Sequence, residues 1–363
     1  MGNTYNQPPE TPFCDLKGPG QEGLAVIQLY LMPVIFICVL ILGLPLNLLS
    51  LWIFSHRLKR WTRSTVLIFN LTLADASWLL ALPFLIYFHL DRLDWTLGLD
   101  LCKAVRLLYH NYFYLSIFFV SSISLDRYLA IVHPLRSVAL LGRRQTVLLC
   151  GAVWLVALAL SVPVAGMTIV QPCPGINRSV CTLYMLLEVT SVSLPYSVFC
   201  SITGFVFPLV SICYCCVRSV NELRHLPCLH RPHHKWRRLV RVMSAVLIIF
   251  SLLYLPYHLS RNATIVMRAV YPDTPAAWRT ADLLFSLEMC VCSLNTCINP
   301  LFSCFAGQQF RRELHDTFQI LWHRRADVMS AAAPSLKSER GAVTRSRSPG
   351  ESAVVPLETL SAR

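Results

Sequence analysis

Several charged or hydrogen-bonding side chains sit in stretches of this chain that are otherwise apolar. The run from Cys102 to Leu135 carries Arg106, His110 and Phe113 at i, i+4 and i+7, so all three share one helical face. It closes on Asp126-Arg127-Tyr128, followed by His133-Pro134. His258 and Arg261 stand three residues apart in another apolar run, with Arg268 further along. Guanidinium and imidazole groups held in low dielectric suit a carboxylate or phosphate, which Arg meets with two parallel hydrogen bonds. Tyr109, Tyr112, Phe113 and Tyr257 would supply an aromatic wall to such a site. Asp75 is a lone carboxylate within an apolar run and demands polar partners. The sequence contains neither a nucleophile–base–acid set nor a cluster with metal-ligand spacing, so the chemistry on offer is binding rather than catalysis.

What positions these groups is read from composition. The chain has 363 residues, 55% of them hydrophobic and only 14% charged, a balance that suits a polytopic membrane protein. Seven apolar runs of spanning length follow one another: Ile27–Phe54, Ser64–Phe88, Lys103–Val132, Thr146–Thr168, Ser193–Val217, Leu239–Asn262 and Ala281–Ser303. The expected fold is an all-α membrane protein, a seven-transmembrane helix bundle with a short interfacial eighth helix. Residues 1–25 form an N-terminal tail, 26–305 the bundle, 306–323 the interfacial helix and 324–363 a disordered tail. The stretch up to Gly23 lacks a basic segment followed by an apolar one, so no cleavable signal peptide is expected and the first span serves as insertion signal.

The net charge of +13 would fit a nucleic-acid partner if it were clustered on a soluble face. Instead it sits between spans. Arg57, Lys59, Arg60 and Arg63 lie between spans one and two, Arg143 and Arg144 before span four, Arg218 to Arg238 between spans five and six, and Arg311, Arg312, Arg324 and Arg325 after span seven. Asp91, Asp94 and Asp100 fall in the loop between spans two and three. Positive charge on the inner side places the N-terminus outside the cell and the C-terminus inside. The sequon Asn177-Arg178-Ser179 then lies outside, and Asn262-Ala263-Thr264 abuts the membrane.

Four of the fifteen cysteines fall on the expected outer side: Cys14, Cys102, Cys173 and Cys181. An even number in an oxidising compartment points to two disulfides with three possible connectivities. Pairing Cys102 with Cys181 pins the long loop over the bundle, and Cys14 with Cys173 then tethers the N-terminal tail to it. After span seven, Phe310, Leu314, Phe318, Leu321 and Trp322 form an apolar stripe, the pattern of an interfacial helix. From Ala331 onward the chain is rich in Ser, Ala, Arg and Pro without periodicity.

Taken in order, these residues resemble the rhodopsin-like family of G-protein-coupled receptors over roughly Val26 to Trp322. Each span carries its element: Gly43 with Asn47, Asn70-Leu71-Thr72-Leu73-Ala74-Asp75, Cys102 with Asp126-Arg127-Tyr128, Trp154 with Pro163, Pro208 with Tyr214, Pro256, and Asn295 with Asn299-Pro300. The resemblance implies a plasma-membrane, multi-pass receptor, not an enzyme, without a cofactor beyond an allosteric sodium ion. Asp75, Ser116, Asn295 and Asn299 would hold that ion. It implies that Asp126, Arg127, Tyr128, Tyr254, Pro256 and Pro300 form the switch that engages a heterotrimeric G protein, with Arg127 pairing with Asp126 in the resting state. Receptor kinases and arrestin would act on the serine-rich tail. The chain departs from the family at Tyr254, where Trp is usual, and at Ser303, where Tyr closes the span-seven motif.

Within the family, Arg106 and the run Leu255-Pro256-Tyr257-His258-Leu259-Ser260-Arg261-Asn262 resemble the purinergic branch and its succinate and oxoglutarate relatives. Tyr109 stands where amine receptors carry Asp, and Met289 beside Glu288 where the branch commonly carries a second Arg. The expected ligand-binding set is Arg106, Tyr109, His110, Phe113, Tyr257, His258, Arg261, Glu288 and Met289, with Arg106 and His110 facing His258 and Arg261 across one cavity. The ligand is then a nucleotide, carboxylate or acidic lipid. Three other readings compete. In one, Arg106 and Arg261 simply pair with Glu288 or Asp282. In another, the chain is a weakly signalling receptor for a peptide or lipid. In the third it is an organic-anion transporter, for which no internal repeat appears.

Overall fold

The computed structural model describes Cys14 and residues 22–135, 137, 142–173, 175, 177–182, 190–225, 233–271, 274–306, 310–317 and 319–320. Seven of its helices are long and apolar enough to cross a membrane. They are α1 (Glu22–Arg57), α2 (Arg63–Leu90), α3 (Leu99–Val132), α4 (Arg143–Met167), α5 (Thr190–Ser201, continuing through Ile202–Val206 into Phe207–His225), α6 (His233–Val270) and α7 (Pro275–Ser293, then Asn295–Ala306). Every expected span lies on one of them. The helices outrun the apolar runs because intrahelical hydrogen bonding continues into polar turns once the segment is nucleated. Thus α3 begins at Leu99 rather than Lys103, and α6 extends from His233 to Val270 rather than from Leu239 to Asn262. At 1.5 Å per residue α3 is about 50 Å long.

Buried polar groups join the helices. The indole of Trp154 donates to Asn70 Oδ1 at 3.0 Å, linking α4 to α2. Pro300 has no N–H to offer the Thr296 carbonyl one turn earlier. That carbonyl instead accepts from Asn47 Nδ2 at 3.1 Å, so α1 supplies the bond that the proline removed. Trp78, fully buried, packs edge-on to Phe36 at 6.2 Å and stacks on Tyr112 at 5.5 Å. In α5 the wider π turn at Ile202–Val206 precedes Pro208. Gly204 in that turn lies against the Tyr114 ring, and a Cβ there would stand 2.1 Å from Cε1.

Over one end of the bundle lies a hairpin, β1 (Val170–Pro172) antiparallel to β2 (Ser179–Cys181), with Gln171 opposite Val180. Two disulfides fix it, Cys102–Cys181 to the top of α3 and Cys14–Cys173 to the N-terminal segment. The α2–α3 loop turns through left-handed conformations at Arg92 and Leu93 and joins the same assembly. Asp94 Oδ1 accepts from the Ser179 amide at 2.9 Å, and the Trp95 amide donates to the Ser179 carbonyl at 2.7 Å. Arg178 donates to the carbonyls of Arg92 and Cys14, both at 2.8 Å. Burial in this seam draws its guanidinium below the ordinary arginine range, with Asp94 opposing.

The chain divides into two compact units, Met1–Arg311 and Arg312–Arg363. In the first, Phe310 packs on Phe54 with ring centres 4.9 Å apart. In the second, residues 312–317 and 319–320 are helical, with Thr317 Oγ1 donating to the Glu313 carbonyl. Phe318, Leu321 and Trp322 of the expected stripe, and the serine-rich tail, lie outside the described residues.

Candidate functional site

The basic residues expected around one cavity fall into two groups. Arg106, one turn after Cys102, has its side chain drawn under the hairpin, where Nη2 donates to the Cys181 carbonyl at 2.9 Å. The residue is only 6% exposed, its Nε has no partner, and among the described residues no carboxylate pairs with it. It lines a cleft with Gln28 and Met32 from α1, Phe88 and His89 from α2, Val180 and Cys181 from the hairpin, and Met289 from α7. His89 is buried, and its Nδ1 lies 2.9 Å from the Gln28 carbonyl. Gln28 in turn donates to Ser286 Oγ at 2.9 Å.

The second group lies where α3, α5 and α6 meet. Arg261 is fully enclosed. It donates to Tyr114 OH at 3.1 Å, to the Ser197 carbonyl at 3.0 Å and to Ser201 Oγ at 2.8 Å, and it lies 3.2 Å from His258 Nδ1. Its guanidinium stands 5.6 Å from the centre of the Tyr257 ring. His110 turns toward α4, with Nδ1 3.3 Å from Ser161 Oγ and its ring 4.8 Å from Tyr114. Phe113 packs on Tyr257 at 4.4 Å and on Tyr254 at 5.0 Å. Arg106 and Arg261 therefore do not face each other across an open cavity, as their positions on α3 and α6 imply. The rings of Tyr109, Phe113 and Tyr257 pack on one another, while Arg106 bonds the hairpin carbonyl of Cys181 and Arg261 bonds α3 and α5 groups.

Of the acids expected to neutralise the arginines, Asp282 is engaged by a different one. Asp282 pairs with Arg268, and the Arg268 guanidinium lies 4.3 Å over the Trp278 ring. Glu288 is half-buried, one residue from the cleft-lining Met289. Asn262 of the second sequon sits within α6 and exchanges hydrogen bonds with Ser197 and Ser201, so its amide is engaged inside the bundle. Asn177 stands exposed in the hairpin loop.

Midway down the bundle, Asp75 is wholly buried. Its Oδ1 accepts from Asn299 Nδ2 at 2.9 Å, and its Oδ2 has no partner. Ser116 Oγ accepts from Asn295 at 2.8 Å and Asn299 at 3.2 Å, and Asn299 Oδ1 is also unpartnered. An orphaned carboxylate oxygen beside amide and hydroxyl oxygens fits a small hard cation. The four residues expected to surround sodium are thus brought together, and Tyr254 joins them.

At the other end of α3, Asp126 accepts from Ser64 Oγ at 2.6 Å and lies 3.5 Å from Arg63 Nε. Arg63 also donates to the Ser137 carbonyl and hydroxyl. Its role as partner of Asp126 was not legible beside Arg127, which is adjacent in sequence. The Tyr128 hydroxyl lies 3.3 Å from His133 Nε2. The residues that sequence reasoning missed around Arg106 and Arg261 are His89, Gln28, Tyr114, Ser197 and Ser201. Only His89 carried a signal, a basic side chain in the last turn of an apolar span.

The comparisons with known proteins agree with this architecture. Residues 46–302 match the family model of the seven-transmembrane receptors of the rhodopsin family. Purinoceptor 3 of chicken is 30% identical over 306 residues, covering 81% of this chain and 91% of that protein. Human purinoceptor 1 is 29% identical over 293 residues, covering 79% of this chain and 77% of that protein. Purinoceptor 4 of Xenopus laevis is 29% identical over 289 residues, 78% of this chain, which spans about half of that relative's length. With seven spans, the Asp75 polar centre and the pinned hairpin in place, the chain belongs to the rhodopsin family of seven-transmembrane receptors, in the branch that contains these purinoceptors.

Proposed function

We propose that the protein senses a small extracellular anion at the hairpin end of the bundle and activates a heterotrimeric G protein at the other. Arg106 carries this reading. Its guanidinium is buried with one described hydrogen bond, to a backbone carbonyl, an unpartnered Nε and no described carboxylate beside it, a costly arrangement that an anion from solution would relieve. In this reading the N-terminus and hairpin face outward, consistent with the basic segments between spans one and two and after span seven. The relatives are purinoceptors, which puts nucleotides beside carboxylates and acidic lipids as candidate ligands.

Ligand bound at Arg106 would draw α1, α2, α3 and α7 together. The state so favoured would be one in which the inner part of α6 moves about Pro256, presenting Arg127 to the G protein. A sodium ion held by Asp75, Ser116, Asn295 and Asn299 would oppose that state by neutralising Asp75 and fixing α7 against α3. Receptor kinases and arrestin would act on the C-terminal tail. The test is G-protein activation in cells expressing the wild type or Arg106→Gln, challenged with nucleotides, dicarboxylates and acidic lipids. One anion should activate the wild type and fail on Arg106→Gln at equal surface expression. Equal responses from both would remove Arg106 from the site.

A further inference from the structure

We infer that the cleft between α1, α2, α3 and α7 is a proton-coupled site for a single carboxylate head group, with His89 as the second binding residue beside Arg106. The inference rests on the anion-sensing reading above and adds the ligand's class and a linked proton.

Size is the first ground. The cavity measures about 20 Å³, room for one or two water-sized groups. That volume takes one charged head group, with the rest of the ligand lying outside it. Walls of Met32, Phe88 and Met289 leave Arg106 as the one permanent charge among the described residues that line the cleft, a match for a singly charged head group rather than for the several charges of a nucleotide di- or triphosphate.

The hydrogen-bond inventory of His89 supplies the second ground. A backbone carbonyl only accepts, so the 2.9 Å contact with the Gln28 carbonyl requires the proton on Nδ1. In the neutral ring Nε2 is then an acceptor and repels a carboxylate. The two become partners only when one further proton is shared between them, as imidazolium with carboxylate or as imidazole with carboxylic acid. Binding a carboxylate beside His89 therefore takes up one proton from solvent. Among the cleft-lining residues, Gln28, Met32 and Phe88 on α1 and α2, Val180 and the disulfide-bonded Cys181 in the hairpin, and Met289 on α7 neither titrate nor carry charge, so Arg106 and His89 are the groups that respond.

The test uses purified full-length receptor in detergent, with octanoate as the carboxylate probe and adenosine diphosphate as the nucleotide probe. The readout is the ligand-induced rise in melting temperature at about pH 6.5 and about pH 7.5. Octanoate should stabilise the wild type, with apparent affinity rising by up to about tenfold as pH falls one unit, the limit for uptake of one proton. His89→Gln should bind about tenfold more weakly and lose the pH dependence. Arg106→Gln should lose the response, and Arg106→Lys, which keeps the charge, serves as the second variant in case the first does not fold. Stabilisation by adenosine diphosphate but not octanoate, dependent on Arg106, would overturn the carboxylate site and leave the anion receptor standing. An octanoate response unchanged in His89→Gln would remove His89. Responses to both probes that ignore Arg106 would overturn the site and the anion-sensing reading together.

Discussion

The hydroxyl of Tyr254 on α6 donates to Ser116 Oγ on α3 at 3.2 Å and accepts from Asn295 Nδ2 on α7 at 2.7 Å. Its ring packs edge-on against Phe113 at 5.0 Å. The side chain that touches the aromatic cluster of Phe113 is thus also bonded to the polar centre around Asp75. A Trp at this position would present its only donor on the indole edge and could not accept from Asn295. Tyr254→Phe keeps the ring and deletes this link. The expected cost is about 1 kcal/mol, read as a lower melting temperature, together with altered basal G-protein activation. An unchanged melting temperature with unchanged basal signalling would show that the link carries nothing.

Asp75 keeps one carboxylate oxygen without a partner. Replacing potassium by sodium should raise the melting temperature of the wild type, by about 1.4 kcal/mol of added stability at tenfold saturation. Asp75→Asn removes the charge proposed to hold a sodium ion, so its melting temperature should be the same in either salt. A sodium response that survives this substitution would place the ion elsewhere.

Gly204 has no room for a Cβ, because the Tyr114 ring occupies that position. Gly204→Ala must push the ring away from α5, and Tyr114 is a hydrogen-bond acceptor for Arg261. A loss of about 1–3 kcal/mol is expected. Removing the ring should relieve it, so Gly204→Ala should cost less in a Tyr114→Ala background than in the wild type. Equal costs in both backgrounds would mean that the two positions are not coupled.

Arg268 and the buried Asp282 form a part-buried ion pair between α6 and α7. Arg268→Gln leaves a buried carboxylate without its cation, at a cost of about 3 kcal/mol. The double variant Arg268→Gln with Asp282→Asn replaces the ion pair by neutral amides and should recover part of that loss. If the double variant melts below Arg268→Gln, the unpaired charge is not the source of the cost.

Asn177 is exposed in the hairpin loop, whereas Asn262 is engaged with α5. In mammalian cells the wild type should lose mass on treatment with an amidase that removes N-linked glycans, and Asn177→Gln should not. A glycan-free wild type would argue against an outward-facing hairpin; a glycan retained in Asn177→Gln would point to another acceptor.

The number of spans and their order were legible in the sequence, because each depends on local signals, whereas the polar residues around Asp75 were named through the resemblance to the receptor family. Twenty or so apolar residues cannot avoid forming a helix in hydrocarbon, since every backbone group must bond within its own segment. A lone Asp75 in such a run announces its own need for partners, and Asn295 and Asn299 in the last span were residues able to meet it. Cysteine count and position pointed to two disulfides but left three connectivities, and the tertiary structure selected Cys14 with Cys173 and Cys102 with Cys181.

What the sequence left open was which side chains meet across helices. Arg106 and Arg261 look equivalent on paper, since both are basic residues high in apolar spans. Axial level follows from counting residues at 1.5 Å each, but the rotation of a helix about its axis is set by how its bulky side chains pack against neighbours. Packing of Phe113 on Tyr257 and of Tyr114 against Gly204 closed the space around Arg261 and left Arg106 beside His89. Only that packing turned one expected basic pocket into an enclosed arginine and an open cleft.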